Sequence, residues 1–364
     1  MKGETVPVTT SIRLVAAVTL LILAELIIAH RLKIRPVGDD IEAVPPPPAG
    51  PAVWSSASFV AYGDVNLGRT VGQRILKGAV DHPFAKFDLR EDSADIVFLN
   101  LESPLSDQGG ETVSPKSNIV FTGPPEGART LRNAGVTVVS TANNHALDYG
   151  VSALGETVRH LDAQNILHAG TSTSPESLFL PLLIEKNSIK IAIFAVSAFV
   201  NFNPKGWERT VAPADTGRLF PAMRAVRKSA DFVLVSYHGG VEYTNAPAPA
   251  TERFAAQCID GGADIVLGHH PHVTFGVHRR GKGIVVHSLG NFIFFQPQHY
   301  WTQRSYGVRF VFEKREDSVR FRLDRFIPVK VGFQTERMTD TAQTGLLRRR
   351  TQRLSNFDIT SHWK

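Results

Sequence analysis

A chain of 364 residues with 43% hydrophobic and 20% charged side chains looks globular, long enough for one large domain or two small ones. The net charge of +6 favours acidic partners, but the basic residues do not alternate with aromatics, which argues against nucleic-acid binding. Cys258 is the only cysteine, which excludes an intrachain disulfide, a cysteine-ligated zinc site and a lipid on an N-terminal cysteine.

In chain order, a tail (1–11) precedes an apolar run at 12–30 that approaches the ~17–20 residues needed to span a bilayer. No small-residue cleavage site follows, since His30, Arg31, Leu32 and Lys33 come next, so the run reads as an uncleaved single-pass anchor; the alternative is a cleaved export signal. Lys2 and Arg13 before it, against Arg31, Lys33 and Arg35 after it, leave the orientation open on charge alone. Residues 31–54 form a linker whose segment VPPPPAGP is stiff and extended.

From residue 55 onward, short apolar runs rich in β-branched and aromatic residues predict strands at 58–62, 95–99, 136–140, 189–196, 232–236, 264–267 and 284–287. Helical patterns intervene at 127–133, 151–164, 220–229 and 252–260, and this alternation predicts an α/β domain. Cys258 falls in the last of these helices, as a small buried core residue. Runs at 308–312 and 319–326 read as a hairpin. A basic helix at 341–354 lies in the C-terminal tail (333–364), with Arg348, Arg349, Arg350 and Arg353 on a solvated face.

Five of the strands end in metal-ligand residue types. In open α/β sheets ligands bind beyond the carboxyl ends of strands, so these clusters can converge on one site. Asp64 and Asn66 supply an oxygen pair suited to a divalent metal, or an Asx turn. Asn100 and Glu102 repeat the spacing, and a carboxylate at such a position can bridge two metals. Asn143, Asn144 and His145 offer an amide ligand and a general acid, and Asp148 either orients His145 or caps the following helix. His238 stands beside two glycines that permit close approach of a ligand. His269, His270 and His272 surround Pro271, which predicts an extended path at His270 that lets His270 and His272 address two metals. Asn291 follows the last strand, facing substrate or supporting a ligand.

The segments GDVNLGR, NLESPLS, TANNHALDYG, SYHGG, GHHPHV and HSLGNFIF resemble, in that order, the motifs of the CapA/PgsA poly-γ-glutamate capsule-biosynthesis family, a branch of the calcineurin-like metallophosphatases. The likeness covers residues 55–332. It implies a four-layer α/β/β/α sandwich, preceded here by one transmembrane helix, with two divalent ions (Mn, Fe or Zn) between the sheets. By the same likeness Asp64, Asn66, Glu102, Asn144, His238, His270 and His272 hold the metals and His145 is catalytic, while His269 falls where the family tolerates other residues. Three positions depart from the phosphatase pattern: Asn66 stands for a His, Glu102 for an Asp, and Ala146 for the acidic residue after the catalytic His, a role left to Asp148.

The function expected from this is metal-assisted hydrolysis or transfer on an anionic polymer such as poly-γ-glutamate, or on a phosphorylated intermediate. The protein is expected at the cell membrane, with its globular domain extracytoplasmic and membrane synthase or exporter subunits as partners. Two alternatives stay open: a non-catalytic metal-binding accessory subunit, and a stand-alone phosphoesterase or amide hydrolase.

Overall fold

The structure, a computed structural model, describes residues 54–363. Its strands are β1 (Ser55–Val65), β2 (Ile96–Leu101), β3 (Val113–Ser114), β4 (Ser117–Phe121), β5 (Val138–Ser140), β6 (Leu167–Ala169), β7 (Leu182–Lys186), β8 (Ile189–Ser197), β9 (Phe232–His238), β10 (Ile265–His269), β11 (Val277–Arg280), β12 (Gly283–Val286), β13 (Asn291–Ile293), β14 (Arg304–Arg315), β15 (Ser318–Lys330) and β16 (Glu336–Arg337). The helices are α1 (Arg69–Leu76), α2 (Gly127–Ala134), α3 (Gly150–Ala163), α4 (Thr216–Val226), α5 (Pro249–Asp260) and α6 (Thr341–Arg353).

One sheet runs β16-β15-β14-β1-β2-β5-β6, with β13 pairing on the far end of β1; the other runs β11-β12-β10-β9-β8-β7. Alternation along the strands explains why the sheets stack. In β1, Phe59 and Ala61 face the core between the sheets, while Val60 and Tyr62 face a second core shared with Val71 of α1 and Leu131 of α2. In β9, Phe232 and Leu234 join the central core, and Val233 and Val235 join a third core with Leu219 of α4 and Phe254 and Cys258 of α5. The result is helix, sheet, sheet, helix. Met338, Leu347 and Ile359 also enter the central core, so α6 and its flanks belong to the packed unit.

Within the first sheet β1, β2 and β5 are parallel neighbours, and within the second β9 and β10 are. Their carboxyl ends therefore lie side by side, with Asp64 opposite Asn100 and His238 opposite His269.

The transmembrane expectation is corrected. No helix among the described residues is long and apolar enough to cross a membrane. The longest of them, α3 with 14 residues, spans only about 21 Å at 1.5 Å per residue, short of a hydrocarbon core of about 30 Å. The span expected at 12–30 lies outside the described residues, and no described element replaces it. Single-pass anchoring, an extracytoplasmic placement and a membrane partner therefore find no support among the described residues.

Candidate metal centre

The strand-end side chains meet in a buried cluster. Asp64, Asn100, Glu102, Asn143 and His238 have no exposed surface, and Asn66, Asn144, His145, His269, His270, His272 and Asn291 are buried as well. A shift in register between Ala61 and Asp64 marks an irregularity where β1 reaches the site, a common way to re-aim a side chain. Gly63 lets β1 and the Gly290 backbone touch there, and Asp64 N donates to Gly290 O at 2.9 Å.

Two trios of potential ligand atoms form, each with all its atoms within 4.8 Å of one another: Asp64, Glu102 and His238, and Glu102, His270 and His272. Glu102 belongs to both, which is the position of a bridging carboxylate. His270 and His272 fall in the same trio, with ring centroids 5.9 Å apart. The path expected from Pro271 is not the one taken: His270 has φ +95° and His272 φ +59°. Positive φ at non-glycine residues is backbone strain of the kind that clusters at functional sites.

The remaining predicted residues support the trios. Asn100 Nδ2 donates to Asp64 Oδ1 at 2.8 Å and lies 3.2 Å from His238 Nδ1. Asn143 Nδ2 donates to the Leu101 carbonyl at 2.7 Å, and its Oδ1 accepts His145 N at 3.1 Å. Asn144 Oδ1 lies 2.8 Å from His238 Nε2, which is 3.6 Å from Glu102 Oε1, so Asn144 also faces the first trio. Asn291 Oδ1 sits 2.9 Å from His272 Nδ1; a proton held there leaves the Nε2 lone pair for a metal. His269 Nδ1 is 3.3 Å from Asp64 Oδ1. Asn66 is placed differently: its Oδ1 accepts Gly68 N at 2.7 Å, the Asx-turn alternative, at the entry to α1.

Asp148 orients rather than caps. His145 Nδ1 is 2.7 Å from Asp148 Oδ2, whereas α3 starts after Tyr149 with no side-chain cap. Phe121 stacks on the His145 ring at 4.0 Å.

The electrostatics suit a cation. Burial pushes the Asp64 carboxyl up, but the facing His269 and His272 outweigh it and hold it well below the usual carboxylate range. Burial, reinforced by the charges of Asp64 and Glu242, raises Glu102 well above its ordinary value. Burial, with neighbouring histidines, lowers His238 well below its ordinary value and His270 to about 3. Glu102 Oε1 and His270 Nδ1 are buried with no hydrogen-bond partner among the described residues. Orphaned buried acceptors and neutral imidazoles are ready lone pairs, and the residues present fit a divalent transition metal. The cluster is a metal-dependent, hydrolase-like active centre holding one or two metal sites.

Several residues of the site escaped the sequence reading. Asn201 Nδ2 is 3.1 Å from His145 Nδ1, and Asn201 Oδ1 accepts from Asn144 at 3.0 Å. Glu242 lies 3.8 Å from His272 Nε2, and Tyr243 stacks over the His272 ring at 5.9 Å. Arg69 lies over the Phe121 ring at 4.7 Å, and burial lowers its pKa against the opposing pull of Tyr243, Glu102, Asp148 and Glu242. Arg69 sits in GDVNLGR, and Glu242 and Tyr243 follow SYHGG after Val241; proximity to those segments was their only sequence signal.

The chain is similar to known proteins of bacterial capsule synthesis. The family described as "Bacterial capsule synthesis protein PGA_cap" matches residues 58–296. The chain is 32% identical over 254 residues to the "PGA biosynthesis protein CapA" of Bacillus subtilis, covering 68% of this chain and 64% of that protein. It is 30% identical over 256 residues to the "Capsule biosynthesis protein CapA" of Bacillus anthracis, covering 68% and 61%. The match thus spans less than two thirds of either relative's length. Among solved structures, a putative 5'-nucleotidase from Staphylococcus aureus is similar over 81% of this chain and 58% of its own, with TM-score 0.46 and 13% identity.

Proposed function

This chain belongs to the bacterial capsule synthesis protein family, and from that premise we propose that it is a metal-dependent hydrolase acting on an anionic polymer of the poly-γ-glutamate type. The observation that carries the proposal is the pair of buried His–carboxylate trios sharing Glu102. Asp64, Glu102, Asn144, His238, His270 and His272 would hold the metal. A bound divalent pair supplies Lewis-acid polarisation of a carbonyl or phosphoryl oxygen and a water acidified towards pKa ~7.

The chain's own residues supply the rest. His145, held by Asp148 and Asn201, donates the proton to the leaving group. Arg69, beside Phe121 and near Glu102, offers a cation to a substrate carboxylate or phosphate. Asn100, Asn143 and Asn291 fix ligand orientation through the hydrogen bonds described above.

A non-catalytic accessory role is a second reading, favoured by one observation: Asn66 turns its oxygen to the Gly68 amide, leaving one expected ligand otherwise engaged.

The test is metal content and turnover of the full chain, purified without chelator and supplied with Mn²⁺, Zn²⁺ or Fe²⁺. Cleavage of γ-glutamyl chains or chromogenic phosphoesters, abolished in a folded Asp64→Asn variant, supports catalysis. Metal binding without turnover across that panel supports the accessory reading. A wild-type chain that takes up no metal at the trios, scored by its difference from His270→Ala/His272→Ala, refutes both.

A further inference from the structure

On the outer face of the second sheet a third group of ligand types assembles, away from the centre described above. Glu252 of the first turn of α5, His278 of β11 and His287, which follows β12, offer ligand atoms all within 4.8 Å of one another. They line a cavity of about 250 Å³ together with Ala256, Val285 and Asn356.

His287 is the informative member. It is 5% exposed, yet neither ring nitrogen has a hydrogen-bond partner among the described residues. A buried imidazole carries one N–H and one lone pair, and leaving both unmatched costs free energy that native structures rarely accept. Packing does not relieve this, because the nearest aromatic neighbour is another imidazole: the His278 ring meets it edge to face with centroids 4.3 Å apart.

His278 is oriented as metal-bound imidazoles are. Its Nε2 lies 3.0 Å from the Leu354 carbonyl, which takes the N–H and leaves the lone pair on Nδ1. A backbone carbonyl on the far nitrogen is the usual device for fixing the tautomer of a ligating histidine. The Glu252 carboxylate enters no ion pair among the described residues, although two arginines line the same cavity. Both are engaged elsewhere: Arg280 forks onto Asp260 at 2.6 and 2.7 Å, and the Arg279 guanidinium lies over the Phe357 ring at 4.6 Å. Their charges are thus partly answered, and Glu252 is free to answer a cation.

We propose that Glu252, His278 and His287 form a second, separate site for one divalent transition metal of the Zn²⁺ class, its remaining coordination completed by water from the cavity. Two imidazoles and one carboxylate are a common zinc donor set, and the mixture is too rich in nitrogen for Mg²⁺ or Ca²⁺. The site joins α5, β11, the segment after β12 and, through Leu354, the end of the C-terminal helix. Gly268, just before His269, packs against the His287 carbonyl, where an added Cβ would come within 2.1 Å of that oxygen. Occupancy would therefore brace the backbone from which the histidine loop of the main centre departs. The proposal stands whether or not the main centre is catalytic.

The probe is Co²⁺ alone, titrated into the metal-stripped full chain, with bound equivalents counted by elemental analysis after dialysis and visible d–d absorption recorded. Wild type is expected to bind one equivalent more than Glu252→Gln and His278→Gln. That equivalent should survive in His238→Ala/His270→Ala, which disables the main centre. Far-UV circular dichroism identifies a misfolded variant, and the half-buried Glu252→Gln keeps the comparison valid if His278→Gln does not fold. Equal stoichiometry in wild type and Glu252→Gln, or loss of all bound Co²⁺ in a folded His238→Ala/His270→Ala protein, overturns the proposal.

Discussion

Gly63 lies where the backbone of β1 touches the turn before β13, and replacing it with alanine puts a numerical demand on the site. A Cβ on Gly63 would stand 1.7 Å from Gly290 O, 2.7 Å from Gly290 C and 3.3 Å from Leu289 C. Reaching an ordinary contact requires a displacement of roughly 1.5–2 Å, and the obstacle is backbone, which cannot turn aside as a side chain does. The strand pairing that suffers holds Asp64 opposite Asn291, with the Asp64 N to Gly290 O bond at 2.9 Å. Overpacking of this kind costs about 1–3 kcal/mol and the lost hydrogen bond about 1 kcal/mol more, giving about 2–4 kcal/mol in total. The displacement also moves the Asp64 carboxylate and Asn291, which positions His272, so metal binding should weaken together with stability. Gly155, inside α3, has only the flexible tip of Arg159 at 3.6 Å and gives the opposite sign: Gly155→Ala should stabilise by roughly 0.5–1 kcal/mol with metal content unchanged. Urea denaturation of the metal-free proteins and elemental analysis of the loaded ones test the pair. A Gly63→Ala protein with wild-type midpoint and wild-type metal content would show that the two segments are not in contact, and the account of how β1 delivers Asp64 would fall with it.

Three further outcomes follow from the site. His145→Gln should leave metal content intact and lower turnover by about 10²–10⁴, with Asp148→Asn losing less and altering the pH profile; full activity in His145→Gln would remove it from the chemistry. Arg69→Ala should raise KM for polyanionic substrates while sparing kcat on small neutral esters; an unchanged KM would rule out its contact with substrate. Burial holds His287 and His270 at about 3, below the ordinary value near 6.5. Between those values the unfolded chain binds protons that the folded one refuses. Stability of the metal-free protein is therefore full above about pH 6.5 and falls on acidification towards pH 3, at up to about 1.4 kcal/mol per pH unit for each group. Urea midpoints at pH 7, 5.5 and 4.5 would show this, and a flat profile would refute the burial.

Much of the architecture was legible because alternation such as Phe59 and Ala61 against Val60 and Tyr62 is written locally. The strand ends were read too short for a physical reason. β1 continues to Val65 and β9 to His238 through polar residues that strand propensity disfavours, held by pairing with β2 and β10 that a single segment cannot reveal. Helix α1 went unread because Gly72 interrupts it; a Cβ there would meet Leu67 O at 2.7 Å, so close packing of helix against strand end takes precedence over helix propensity. Site residues at strand ends could be named in advance because parallel neighbours bring such ends together. Asn201 and Glu242 could not, since they come from loops whose course depends on the assembled sheets.

Arg350 shows the same limit and supplies the last test. Among neighbouring arginines in a polar helix it reads as solvated, and Arg348, Arg349 and Arg353 are indeed exposed. Arg350 is instead 3% exposed, with Nε donating to the Thr274 carbonyl at 3.2 Å and its guanidinium over the Trp301 ring at 4.7 Å. Burial and the neighbouring Arg353 lower it to about 10, so it stays protonated at neutral pH, with no carboxylate among its described partners. Thr274 lies two residues beyond His272, so the arginine buttresses the histidine loop from behind. Arg350→Ala removes the packing and orphans the carbonyl, and should cost about 2–4 kcal/mol. Arg350→Met keeps most of the volume and removes an unpaired buried charge, so it should cost clearly less than alanine. If methionine costs as much as alanine in urea denaturation, the charge itself is stabilising. Packing against Trp301 would then be the wrong explanation for why this arginine turns inward.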